Sequence, residues 1–269
     1  MKNHLFFLAL IFSTTLFAAN ETDWNYWKKS EANNTRKIDH KAWQLFLNQY
    51  LDTSSGDEIN RIHYGKVSQA EQKNIAIYIQ GLESEKVTAL NRNEQMAFWI
   101  NLYNAVTVSL ILQNYPVKSI RDIHLSTNKF QQTVWDTQII NIENHSLTLN
   151  DIENHILRPL FGDNRVHFAL NCASLGCPNL STIAFTGQNL ETQLNKGIQG
   201  FIHSERGIYW KDNSLQLSSL FDWYRSDFGK SDRELLDFLS RYSKPTLKLK
   251  LKTYSGTLQY QYDWALNDA

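Results

Sequence analysis

A surplus of charge is the first thing this chain lacks: 27 basic side chains stand against 27 acidic ones. A protein that grips phosphates does so with excess Lys and Arg, so the balance excludes nucleic acid as an expected partner. Proline is scarce, at four in 269 residues, and no Pro-, Gly- or Ser-rich linker and no internal repeat divides the chain. One folded unit is therefore expected behind the N-terminal leader. Glycine-rich phosphate loops and dinucleotide fingerprints are missing as well. His63, His124 and His145 are scattered without metal-ligand spacing, and His167 with Cys172 and Cys177 makes only three poorly spaced ligands. Neither zinc nor any other cofactor is expected. What the chain has in quantity is core material, 42% hydrophobic and 13% aromatic residues, enough to exclude intrinsic disorder.

The N-terminus reads as a leader. Lys2 and His4 precede the apolar run Leu5 to Phe17, and the small residues Ala18 and Ala19 follow, the order of a cleavable secretory signal over residues 1–19. That run is too short for a bilayer, and no later segment reads as a membrane span. The expectation is a periplasmic or secreted protein cleaved near Ala18, with about −1 net charge once Lys2 is gone. A small molecule or peptide is left as the expected ligand.

Both cysteines, Cys172 and Cys177, lie in Asn171-Cys-Ala-Ser-Leu-Gly-Cys-Pro178. In an oxidising compartment they form a candidate disulfide, with Gly176 turning the chain between them. The alternatives are a buried free thiol or a nucleophile at Cys172, for which His167 is the obvious base. On a continuous strand, five steps of about 3.3 Å would set the two roughly 16 Å apart on opposite faces, so that pairing needs a sharp bend near Asn171 or another base such as His155.

Along the chain, residues 20–37 read as a polar arm carrying Trp24, Tyr26 and Trp27, and residues 38–269 as one globular domain. Trp43, Phe46, Leu47, Tyr50 and Leu51 recur at helical spacing with Asp39 as the expected cap, and Ser68 with Glu71 starts a second helix. Residues 93–113 are apolar almost all round, free of Gly and Pro, and stop before Pro116, so this helix should be central. Asn101 and Asn104 interrupt it, and buried amides there are expected to tie it to neighbouring loop backbone. Hairpins are expected about Glu143-Asn-His-Ser146 and Lys211-Asp-Asn-Ser214, and helices over 150–157, 189–202, 219–224 and 231–241. Arg165 to Asn171 reads as a buried strand. The Leu/Lys alternation of 247–252, with Leu258 to Tyr262, reads as a C-terminal antiparallel hairpin. The fold class expected is α+β: N-terminal helices, with one long buried helix packed on an antiparallel sheet.

Five ordered motifs carry a resemblance: Glu94-Gln-Met-Ala-Phe-Trp-Ile-Asn-Leu-Tyr-Asn-Ala105, Leu147-Thr-Leu-Asn-Asp-Ile-Glu-Asn-His-Ile-Leu-Arg-Pro159, Val166-His-Phe-Ala-Leu-Asn-Cys-Ala-Ser-Leu-Gly-Cys-Pro178, Phe221-Asp-Trp-Tyr-Arg-Ser-Asp-Phe228 and Tyr262-Asp-Trp-Ala-Leu-Asn267. Together they resemble the domain-of-unknown-function 547 family. The resemblance implies an exported bacterial type of protein but no particular chemistry, and the zipper heptads of the plant members do not occur here. The layout is also remotely similar to papain and transglutaminase thiol enzymes. Those open their long helix with the nucleophilic Cys, whereas this helix opens with Asn91-Arg-Asn-Glu-Gln95.

The function expected is a thiol-dependent hydrolase or transferase acting on peptide, amide or thioester bonds, with Cys172 as nucleophile and His167 as base. The alternative is a non-catalytic binding or scaffold domain stapled by Cys172 and Cys177; a disulfide redox protein is a weaker third, because the spacing is not Cys-x-x-Cys. Arg158, Glu153 and Asn171 are the candidate binding residues. For Glu153 the bland reading is a helix cap, and for Arg158 it is pairing with the carbonyls at the helix end, against a functional clamp on a carboxylate. Aromatic residues from Trp99 to Tyr103 and at Trp223 and Tyr224 are available to line a cleft. Asp227-Phe-Gly229 matches a kinase tripeptide but lacks every companion element, so it is set aside.

Overall fold

Helix formation starts from local capping. In the computed structural model, which describes residues 23–125, 133–212 and 214–269, the carboxyamide of Asn91 accepts from the Glu94 N–H and opens the longest helix. The elements run α1 (Lys41–Tyr50), β1 (Leu51–Asp52), β2 (Arg61–Ile62), α2 (Gln69–Glu83), α3 (Arg92–Asn114), β3 (Ile140–Ile142) and β4 (His145–Leu147). A π-helical segment Asp151–Leu157 then leads into α4 (Arg158–Phe161), and a 3-10 turn covers Asn164–Phe168. The remainder is α5 (Leu190–His203), β5 (Ile208–Lys211), β6 (Ser214–Ser218), α6 (Leu220–Trp223), α7 (Arg225–Phe228), α8 (Asp232–Tyr242), α9 (Pro245–Thr253) and β7 (Leu258–Gln261). At 52% helix and 11% strand the protein is mixed α and β. The leader at 1–19 lies outside the described residues.

The helix α3 is buried on every side from Glu94 to Leu112. It is long and apolar enough to cross a bilayer, unlike the sequence expectation, yet its faces are covered by protein. Its amides do what buried amides must. Asn101 donates to the Phe185 carbonyl and accepts from the Phe185 N–H, while Asn104 donates to the Ala169 carbonyl and accepts from the Asn171 N–H. Glu94 accepts from the Ile38 and Gly187 N–H groups. The helix α3 packs against α2, α5 and the π-helical segment, and Ile140, Ile142 and Leu147 of the β3–β4 pair share its buried cluster.

Two expected strands are absent. Residues 165–171 form no strand: Asp163 caps the 3-10 turn through the Arg165 N–H, and Asn104 takes up backbone groups that a neighbouring strand would otherwise pair. Residues 247–252 form α9, opened by Pro245 at its first position. Leu247 and Leu251, four apart, face the core, whereas Leu249 is 65% exposed. Arg233 of α8 donates to the Leu251 and Lys252 carbonyls at the α9 terminus. No C-terminal hairpin exists. Instead β7 joins β6 in parallel, with β5 antiparallel on the other side, and α8 and α9 form part of the long connection that a parallel pair requires. The hairpin β3–β4 turns through Glu143 and Asn144, both at positive φ, as a two-residue type I′ turn does.

Buried apolar residues form two clusters. The first surrounds α3 and takes in Trp27 of the N-terminal arm, which meets Trp99 edge-on at 5.1 Å. The second holds Phe201, Phe221, Leu235, Leu251 and Leu258 around the three-stranded sheet. The clusters meet at residues 166–170: Val166, Ala169 and Leu170 belong to the first and Phe168 to the second.

Candidate active site

Where the 3-10 turn ends, a cavity of about 360 Å³ opens between the two clusters. His167 projects from the turn into its wall and is only 2% exposed. Its Nε2 lies 2.7 Å from Asp227 Oδ2 on α7. Arg158 grips the same carboxylate, Nε to Oδ2 at 2.6 Å and Nη2 to Oδ1 at 3.0 Å, and its Nη1 donates to Asn154 Oδ1. Burial works to raise the Asp227 pKa, but the hydrogen bonds from His167 and Arg158 and the Arg158 charge outweigh it, holding the carboxyl well below the usual range. An ionised Asp227 on Nε2 selects the Nε2–H tautomer of the neutral imidazole. Nδ1 has no hydrogen-bond partner; the Glu153 carboxylate stands 3.8 Å away, beyond bonding reach.

Glu153 arrives from the π-helical segment, 7% exposed, and accepts from the Tyr103 hydroxyl of α3 at 3.2 Å. It caps nothing: the segment is opened by Thr148 and Asp151, each side chain accepting from the other's backbone N–H. Burial, reinforced by the Glu153 charge, raises the pKa values of Tyr103 and Tyr224, and burial raises that of Tyr262. All three therefore present neutral hydroxyls to the cavity.

The opposite wall is the Cys172–Cys177 disulfide. Tyr262 places its hydroxyl 3.1 Å from Cys172 Sγ and 3.2 Å from Cys177 Sγ, and the Cys172 N–H donates to Cys177 Sγ at 2.8 Å. This loop is braced by the C-terminal segment. The Leu175 and Gly176 N–H groups donate to the Ala265 and Asp263 carbonyls, and Asn267 donates back to the Ala173 carbonyl. A Cβ at Gly176 would lie 2.9 Å from both N and O of Asp263, so only glycine fits there. Trp135, Trp223, Tyr224, Tyr262 and Trp264 add aromatic surface to the lining.

The sequence-derived candidates divide accordingly. His167, Cys172 and Glu153 share the cavity, and the 3-10 geometry replaces the strand that would have set His167 and Cys172 on opposite faces. Arg158 is held on Asp227 rather than left open to a ligand carboxylate. Asn171 is buried outside the lining, its side chain donating to the Pro178 carbonyl and accepting from the Ala173 N–H. His155 stacks on Trp24 at 4.3 Å, away from the cavity, and Trp99 is core. Asp227, set aside in the sequence, is the residue that orients His167. The available signal was its place in the motif Phe221 to Phe228.

Residues 87–202 match the family model described as protein of unknown function, DUF547. No curated protein and no solved structure matches the chain. The DUF547 span contributes Tyr103, Glu153, His167 and the disulfide, while Asp227, Trp223, Tyr262 and Trp264 come from the chain beyond it.

Proposed function

We propose that the cavity is the active site of a thiol-dependent hydrolase or transferase acting on peptide, amide or thioester bonds, held inactive while Cys172 and Cys177 are joined. The observation that carries this reading is the convergence on one cavity of Cys172 and an imidazole whose Nε2 is tied to an ionised Asp227 and whose Nδ1 is free. An external dithiol reduces the disulfide, giving two electrons and two protons and leaving as its own disulfide. Cys172, more exposed than the 4%-exposed Cys177, is the nucleophile. His167 Nδ1 takes its thiol proton, and the thiolate adds to the substrate carbonyl. The imidazolium, flanked by Asp227 and Glu153, returns the proton to the leaving amine or thiol as the acyl group stays on sulfur. Water or a second acceptor then releases the acyl group. The Cys172 N–H and the Tyr262 hydroxyl, both directed at sulfur in the oxidised form, are donors available to the oxyanion.

The layout this reading assigns is papain-like in roles only, with nucleophile and base both outside α3. Export goes with it: the Leu5 to Phe17 leader and the disulfide suit an oxidising compartment, and recovery of a periplasmic or secreted form starting near Ala19 would support it.

The test is the alkylation rate of the reduced protein against pH. The proposal requires Cys172 to react with iodoacetamide well below the ordinary thiol pKa of about 8.5, and His167→Ala to return it there. It also requires the reduced protein, unlike the oxidised one, to form an acyl adduct on Cys172 with an activated thioester. Ordinary thiols in both variants would overturn it. The second reading, a binding domain stapled by the disulfide, is favoured by the bracing of the Cys172–Cys177 loop along the C-terminal segment; it requires Cys172→Ser/Cys177→Ser to keep ligand affinity.

A further inference from the structure

The cavity wall carries more aromatic surface than a proton-transfer site needs. Trp223 and Trp264 stack at 5.5 Å between ring centroids, and Tyr262 lies 4.7 Å from each. Trp135 meets Trp264 edge-on at 5.9 Å. Trp223 is nevertheless 49% exposed, so this cluster is not closed core but a wall open to whatever enters. The rings sit too close together to sandwich a guest, so a ligand lies against them rather than between them.

The electrostatics select the guest. Arg158 and Asp227 neutralise each other through their paired hydrogen bonds, and Asp227 also holds His167 Nε2. Glu153 lies buried on the cavity, its Oε2 held by the neutral Tyr103 hydroxyl and its Oε1 3.8 Å from His167 Nδ1, with no Arg or Lys hydrogen-bonded to it among the described residues. A carboxylate facing π surfaces is the arrangement that binds ammonium groups, because ring quadrupoles and the anion attract the cation together while its alkyl substituents cover the rings. Two neighbouring rings already hold cations of the chain itself: the Arg121 guanidinium lies 5.2 Å from the Trp264 centroid and that of Arg158 lies 4.6 Å from Tyr224.

We propose that the cavity takes an alkylammonium group, seated on the wall of Trp223, Tyr262 and Trp264 and countered by Glu153. The inference deepens the active-site reading by assigning the substrate a cationic amine beside its scissile acyl group, and it rests on that reading for the cavity's role. Affinity is read on the oxidised protein, so binding and thiol chemistry can fail separately.

The probes are choline, its neutral carbon isostere 3,3-dimethylbutan-1-ol, and methyl glucoside as a neutral ring that stacks on indoles, each titrated calorimetrically at low ionic strength. Choline is expected to bind at least about ten-fold more tightly than the isostere. Trp223→Ala, which removes a side chain already half in water, is expected to weaken choline about five-fold with the unfolding midpoint unchanged. Glu153→Gln is expected to abolish the preference for choline over the isostere. Equal binding of the two, no binding of choline, or binding of methyl glucoside alone would each overturn the proposal. If choline is preferred while reduced Cys172 behaves as an ordinary thiol, the ligand assignment stands and the thiol reading falls; the opposite pair of results has the opposite meaning.

Discussion

The cluster around α3 and the cluster around the three-stranded sheet are built by different means. The first is fixed by buried polar ties, Asn101, Asn104 and Glu94 each bonding distant backbone. The second relies on interlocked rings, with Phe168 and Phe221 each against Phe201 and Phe228 and against one another at centroid distances of 5.2–6.1 Å. Neither contains a complete site. Glu153, Tyr103 and the disulfide come with the first, and Asp227 and Tyr224 flank the second, so His167 acquires its orienting carboxylate only across the seam. The cavity opens where the two clusters meet, because each holds its own side chains fixed while the gap between them stays open.

Substitutions that loosen one side at a time sharpen this contrast. In the sheet cluster, Leu251→Ala should cost about 2–5 kcal/mol by urea unfolding, since the side chain is fully buried. In the helical cluster, Asn104→Ala strands the Ala169 carbonyl and the Asn171 N–H, and a loss of about 2–4 kcal/mol is expected. A smaller loss would mean that water replaces the amide.

Acid should separate the two regions as well. Burial lowers His40, in the helical region, from 6.5 to about 4. The unfolded chain therefore binds the extra proton, and stability complete above pH 6.5 falls by up to about 3 kcal/mol as pH drops to 4. His40→Gln should flatten that slope. Asp227, at the seam, has its pKa depressed from 3.8, so its contribution is complete above pH 4 and is lost only below it. Reducing the disulfide, which closes a short loop, should cost no more than about 2 kcal/mol and leave both clusters folded by circular dichroism. The smallest effect is expected for Leu249→Ala, within about 0.5 kcal/mol. On a strand it would share a face with Leu251, and equal losses at the two positions would contradict α9.

Where structure is decided within a few residues, the sequence is readable. Ser68, Asn91 and Ser231 each accept from the N–H three residues on, and the helices begin there. The two misread strands fail for one reason, that the deciding contact is distant. The backbone of 169–171 is paired by Asn104, and α9 is held by Arg233 and a buried face at i, i+4 that also fits a period of two. In the site, Cys172, His167, Glu153 and Arg158 could be named from motifs, but not the connection Arg158–Asp227–His167. Asp227 lies 60 residues from His167, and the Phe221 to Phe228 motif that contains it does not name its partners.

The central claim is that Asp227, from beyond the DUF547 span, orients His167 for Cys172. It is tested most directly by the iodoacetamide rate of reduced Cys172 at neutral pH in Asp227→Asn against wild type. The account predicts a fall of about 10–100-fold, matching His167→Ala. An unchanged rate, with both proteins folded and fully reduced, would contradict it.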